Sequence, residues 1–220
     1  MKRFITLGVV LTTIMWTMGV AAIIPVATAA TLSAGDLIKT ADNTAVYFYA
    51  ADGQRYTFPT ETVYMSWYEN FDTVQVVTND EMAATGLPAG NVLMRAGTYL
   101  VKDRYVADVY AVGANGLLYA IDDEDAAIAL YGSTWGSKIV LMPDEFWSAY
   151  TVSDTTLDGT VYPEGSLVSP IGSADVYYVD AVGSWGKVAD EDAFTANMFN
   201  WAMVLETSLA MPSAGTEIST

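Results

Sequence analysis

Residues 45–58 read AVYFYAADGQRYTF, residues 108–121 read DVYAVGANGLLYAI, and residues 175–188 read DVYYVDAVGSWGKV. Each segment alternates apolar and polar residues around a glycine-containing turn. Asp52-Gly53 and Asn115-Gly116 accept positive φ, so both read as two-strand hairpins. The copies keep step along the chain. Tyr47, Tyr110 and Tyr177 lie 63 and 67 residues apart, as do Gly53, Gly116 and Gly183. Near-constant spacing marks one supersecondary unit made three times, each copy burying its apolar face against the next. The copied residues form turns and pack; none is reactive.

Working outward, a glycine and a short apolar stretch precede each hairpin: Leu37-Ile38, Leu100-Val101 and Leu167-Val168. A helix-like segment follows it, opening at Pro59-Thr60-Glu61, Asp122–Asp125 and Asp190–Asp192. Early Asp, Glu and Thr cap free N–H groups and suit the positive end of a helix. Short apolar runs then appear at 74–77 and 139–142, followed by capped second helices at Asn79–Ala84 and Asp144–Trp147. In the third copy residues 198–209 read instead as one continuous helix. Closing strands are expected at 90–95 and 159–162. The tail 212–218 resembles the start of such a strand: it either frays as a terminus of small polar residues or pairs beside the first strand of its own or a neighbouring chain, which would close the structure.

The expected fold class is α+β: three tandem repeats of a β-hairpin plus short helices, mostly antiparallel, ring-like or stacked. Residues 1–29 form a leader, 30–96 the first repeat, 97–164 the second, and 165–220 the third with its strand-like tail; together the repeats make one compact domain.

The leader has Lys2 and Arg3, an uncharged apolar run from Phe4 to Ile24, Pro25, and Ala27-Thr28-Ala29. That is the grammar of a secretory signal peptide, cut after Ala29 or Ala30. An uncleaved run would be long enough to anchor in a membrane. Either way the rest of the chain is expected outside the cytoplasmic membrane, secreted or at the cell surface. Cleavage removes two of nine basic residues and none of 26 acidic ones, leaving seven against 26, a charge of −19. Phosphate-bearing partners are repelled by such a balance, so nucleic acid is excluded as a partner. Membrane contact is expected only through an uncleaved leader.

The chain has neither Cys nor His. Thiolate nucleophiles, His-dependent triads and the usual zinc sites are therefore excluded. Paired carboxylates remain, but among 26 acidic residues such a pair has no specificity. No catalytic residue is assigned, and the expected protein is not an enzyme.

Asp122, Asp123, Glu124 and Asp125 offer a dense oxygen set for calcium or simply cap a helix, as the matching Asp190-Glu191-Asp192 suggests. Calcium is the one candidate cofactor. Most aromatic residues alternate along strands, which suits a core. Tyr49 and Tyr178 fall off that phase and are the candidate glycan-facing rings.

The pattern GDLIK at 35–39 with AVYFYAADGQRYTF at 45–58, behind such a leader, resembles the largely uncharacterised hairpin-plus-helix repeat modules of exported, surface-layer-like bacterial proteins. The likeness weakens in the third copy, where Val182-Gly183 replaces the Asp-Gly turn. It carries over no catalytic residue and implies a structural role at the surface. The expected function is thus a non-enzymatic exported structural protein that self-associates or joins the cell envelope. The alternative is a module binding carbohydrate or envelope polymer through exposed aromatics.

Overall fold

The computed structural model describes residues 31–220; the leader and its cleavage site lie outside the described residues. The first unit runs β1 (Leu37–Thr40), β2 (Tyr47–Tyr49), β3 (Arg55–Thr57), α1 (Glu61–Met65), β4 (Val74–Val77), α2 (Asn79–Ala84) and β5 (Gly90–Asn91). The second runs β6 (Leu100–Lys102), β7 (Val109–Val112), β8 (Leu117–Ile121), α3 (Glu124–Tyr131), β9 (Ile139–Leu141), α4 (Asp144–Trp147) and β10 (Thr151–Leu157). The third has β11 (Leu167–Pro170), β12 (Tyr177–Val179), β13 (Trp185–Lys187), α5 (Glu191–Ala196) and β14 (Val204–Thr207). Thr60, Asp123 and Asp190 cap α1, α3 and α5 with their side chains, as the acidic and hydroxyl openings predict.

Each unit builds its own sheet. The orders β4-β1-β2-β3-β5 and β9-β6-β7-β8-β10 are the same, and β14-β11-β12-β13 lacks only the last strand. The first strand of each unit and its two hairpin strands run antiparallel; β4, β9 and β14 lie parallel to β1, β6 and β11, and β5 and β10 parallel to β3 and β8. The expectation of a mostly antiparallel α+β array is corrected here. The helix after each hairpin carries the chain across the sheet, and a crossover returns it in a parallel sense. The helices are short, four to eight residues, so the protein is mostly β with three separate mixed sheets. No closed ring is found among the described residues.

Three further expectations change. Residues 198–209 are not one helix: Met198 takes a positive φ of 55°, and the chain then enters a 3-10 turn and β14. Alternation along Val204-Leu205-Glu206-Thr207 won over helical spacing, because Leu205 and Thr207 turn inward. The second closing strand is Thr151–Leu157, not 159–162. The first is only Gly90–Asn91, parallel to β3.

The tail does not pair with β1. It lies parallel to β13, bridging Trp185 to Ala214 and Val188 to Ile218, in the place that β5 and β10 occupy in their sheets. Gly186 makes this possible, because any Cβ there would overlap the Thr216 carbonyl. Tyr56 and Tyr119 hold the matching register positions in β3 and β8.

The units stack face to face. Leu37, Val46, Phe58 and Tyr64 of unit 1 share a core with Val101, Tyr110, Leu118 and Met142 of unit 2. Leu100, Leu130, Tyr131 and Leu157 share the next with Val168, Val179, Trp185 and Leu205 of unit 3. Leu100 and Val101 are successive, so they point to opposite faces and tie β6 into both cores. Burying each such aliphatic side chain stabilises the fold by about 1.5–3 kcal/mol. The outer faces are closed within the chain. Met82 of α2 covers Ile38, and Gln75, exposed, stands at the register position of Val140 and Leu205. Phe199 and Ile218 cover Leu167 and Val188. Polar or self-covered ends are what a repeat stack needs for solubility. Among the described residues no helix is long and apolar enough to cross a membrane.

The buried Tyr64 hydroxyl donates to the Asn70 carbonyl (2.8 Å), and burial pushes its pKa up to about 12. Below pH 10 the phenol is protonated in folded and unfolded chains alike. Above it the unfolded chain gains by ionising, so stability falls as pH climbs from about 10 towards 12. Near-UV circular dichroism should be lost in that window together with a step in tyrosinate absorbance. Retained ellipticity at pH 12 would contradict this.

Candidate functional site: an aromatic cleft between units 1 and 3

The stack curves enough to bring the first and third units together. Their contact is organised by Arg95, on the link between β5 and β6. Its guanidinium lies 5.1 Å from the Trp67 ring of unit 1 and 5.1 Å from the Phe199 ring of unit 3. It donates through Nη2 to the Asn197 carbonyl (2.9 Å) and through Nη1 to the Met198 carbonyl. These carbonyls leave the C-terminal end of α5, where a cation is favoured. Among the described residues the only ion pair recorded is Lys187–Asp175, so carbonyls and ring faces answer the Arg95 charge. Desolvation lowers its pKa from the usual arginine value, which still leaves it protonated at neutral pH. Trp67 is held from its other end, Nε1 donating to the Leu93 carbonyl (2.8 Å).

Beside this clamp opens a cleft of about 750 Å³. Unit 1 supplies Trp67, Tyr68, Glu69 and Gln75; unit 3 supplies Glu191, Thr195, Phe199 and Trp201. The local sequence explains the wall. After each of α1 and α5 the chain makes a tight turn bearing large rings, which cannot all fit under a short helix and so line its flank. Trp201 stacks on Phe194 at 4.1 Å and 15° and remains exposed. Rings flanked by carboxylate, amide and hydroxyl groups supply flat apolar faces beside hydrogen-bond partners, the mixture that small-molecule sites share.

The acidic cluster lies elsewhere. Asp123 Oδ1 accepts from the Ala126 N–H (2.8 Å), and Glu124 and Asp125 occupy the first turn of α3. Among the described residues no three acidic side chains converge on a metal-sized position. The melting midpoint is therefore expected to be the same in millimolar calcium and in chelator. A calcium-dependent rise would restore the cluster as a site.

Tyr49 and Tyr178 are not brought together. Tyr49 packs near Ile38 and Val77 on the outer face of unit 1. Tyr178 stacks on Phe199 (5.8 Å, 19°), behind the Arg95 clamp. Burial first, then the charge of Glu164, raises its pKa. Nothing in the sequence singles out Arg95. Large rings recur after α1 and α5 as Trp67, Phe71, Phe199 and Trp201, but a contact between non-adjacent units leaves no mark in the chain.

No family model matches the chain, and no curated protein matches it. Among solved structures, the periplasmic assembly of the ESX-5 inner membrane complex aligns at 13% identity over 82% of this chain, with a TM-score of 0.22. The alignment spans 59% of that chain. At that TM-score the likeness transfers neither fold nor function.

Proposed function

We propose that this chain is an exported, non-enzymatic module that binds a neutral glycan of the envelope or its surroundings. The observation that carries the reading is the cleft between units 1 and 3, with Trp67, Tyr68, Phe199 and Trp201 beside Glu69, Gln75 and Glu191. A pyranose offers an apolar face to a ring and hydroxyls to carboxylates and amides. The Arg95 clamp holds the two walls at a fixed separation, so little conformational freedom is lost on binding. The strongly negative charge disfavours anionic polymers and leaves neutral ones.

Assembly by strand exchange through the tail has less support, because that tail already completes the sheet of its own third unit. Surface attachment would then come from the bound polymer.

Tryptophan fluorescence titration with neutral hexasaccharides of N-acetylglucosamine and of glucose tests the proposal, with hyaluronate as the anionic control. A saturable shift with a neutral oligomer is expected. Trp201→Ala should weaken it by roughly tenfold, as loss of a stacking face does, with little change in melting. No shift with either oligomer, or an unaltered titration in Trp201→Ala, would overturn the reading.

A further inference from the structure

A groove beside α1 recurs beside α5, position for position. In unit 1 it is lined by Val46, Phe58, Thr60, Glu61, Tyr64 and Phe71. In unit 3 the matching residues are Val176, Val188, Asp190, Glu191, Phe194 and Trp201. The two grooves measure about 520 and 390 Å³. Each is floored by a stacked ring pair: Tyr64 with Phe71 at 4.3 Å and 12°, Phe194 with Trp201 at 4.1 Å and 15°. The inner ring is buried, 1% and 3% exposed, while the outer ring stands 43% and 54% exposed.

The fold does not require these rings. Unit 2 builds the same sheet and a longer helix with Ala127 at the inner position and, counted back from the parallel strand, Gly136 at the outer one, while its Trp135 packs against the core shared with unit 3. An outer aromatic pinned flat on a buried one presents a single fixed face to solvent, which is preorganisation for a flat apolar ligand. In unit 1 the rim carries Asn43, Thr44, Thr57 and Glu61. In unit 3 it carries Glu191 and the Lys187–Asp175 pair (2.9 Å). Both rims thus offer hydrogen-bond donors and acceptors beside the ring.

We propose that these grooves are a duplicated sugar-stacking site, separate from the inter-unit cleft in unit 1 and continuous with it in unit 3, where Trp201 lines both. The inference rests on the glycan reading of the cleft and adds multivalency: one chain holds a polysaccharide at more than one platform. Two weak platforms on one rigid body raise apparent affinity for a long polymer far more than for a short oligomer.

Phe71 separates the two ideas, since it lines the unit 1 groove and not the cleft. Residues 31–220 are titrated calorimetrically with N-acetylglucosamine and glucose hexasaccharides, and retention is measured on insoluble chitin and cellulose. The same is done for Phe71→Ala and for Glu69→Ala, whose exposed side chain lines only the cleft. More than one hexasaccharide per chain is expected. Phe71→Ala should remove one equivalent and cut polymer retention about five- to tenfold, while leaving the fluorescence-detected cleft titration unchanged. A single equivalent per chain, unaltered by Phe71→Ala, overturns the duplicated site and leaves the cleft reading standing. No binding of either sugar overturns both. Retention on oligolysine resin that Phe71→Ala abolishes, with no sugar bound, assigns the ring to cationic peptides and also overturns the proposal.

Discussion

Replacing Arg95 by alanine is expected to destabilise the protein by about 2–4 kcal/mol. The guanidinium bridges units 1 and 3 through two ring faces and two carbonyls. Each ring contact contributes about 0.5–2 kcal/mol in a partly desolvated site, and a hydrogen bond from a charged donor about 1.5–3 kcal/mol. The side chain is half-buried, so water replaces much of what is lost and the net cost falls at or below the lower limit of the summed contacts. For a chain of this size the change corresponds to roughly 5–15 °C in melting temperature. Arg95→Lys should recover only a fraction. A lysine ammonium can reach one carbonyl or one ring, but it lacks the planar fork that meets both carbonyls while lying between two rings. Thermal melts followed by circular dichroism test the series. If Arg95→Ala melts within 1–2 °C of the parent, the clamp is ornamental.

The second large effect concerns the C-terminus. Ending the chain at Leu209 is expected to cost about 2–4 kcal/mol and to increase self-association. The tail exchanges four backbone hydrogen bonds with the third unit: Trp185 to Ser213, Gly215 to Trp185, Ile218 to Lys187 and Ala189 to Ile218, all 2.9–3.0 Å. Each contributes about 0.5–1.5 kcal/mol net, and Ile218 adds apolar cover to Val188 and Phe194. Without the tail, β13 becomes a bare edge, and bare edges pair with other chains. Light scattering and melting of the full and shortened chains decide the matter. The shortened chain should melt lower and associate more. Assemblies of the full chain that vanish on shortening would show instead that the tail serves a neighbour.

The repeat, the three hairpins and the capped starts of α1, α3 and α5 were legible because they are local. Asp-Gly and Asn-Gly turns, alternation, and a capping side chain three residues ahead of its N–H all lie within one short window. The parallel outer strands were not legible. Val74–Val77 and Ile139–Met142 announce strands but carry no mark of which neighbour they join, and β14 hid behind Met198 and Trp201, whose spacing imitates a helix. The tail reads as strand-like or frayed, and what decides it is Gly186, a residue informative only once the sheet order is known. The cleft was least legible. It needs Arg95, Trp67 and Phe199 to meet across more than a hundred residues of chain, a consequence of how the stacked units curve.

The most direct test of the central claim is residue-resolved chemical-shift mapping of residues 31–220 with the neutral hexasaccharide that shifts tryptophan fluorescence. The largest changes are expected at the Trp67 and Trp201 indole N–H signals and at the backbone of Tyr68, Glu69 and Thr195. Changes confined to the outer face around Tyr49 and Val77, or spread thinly with none in the cleft, would contradict it.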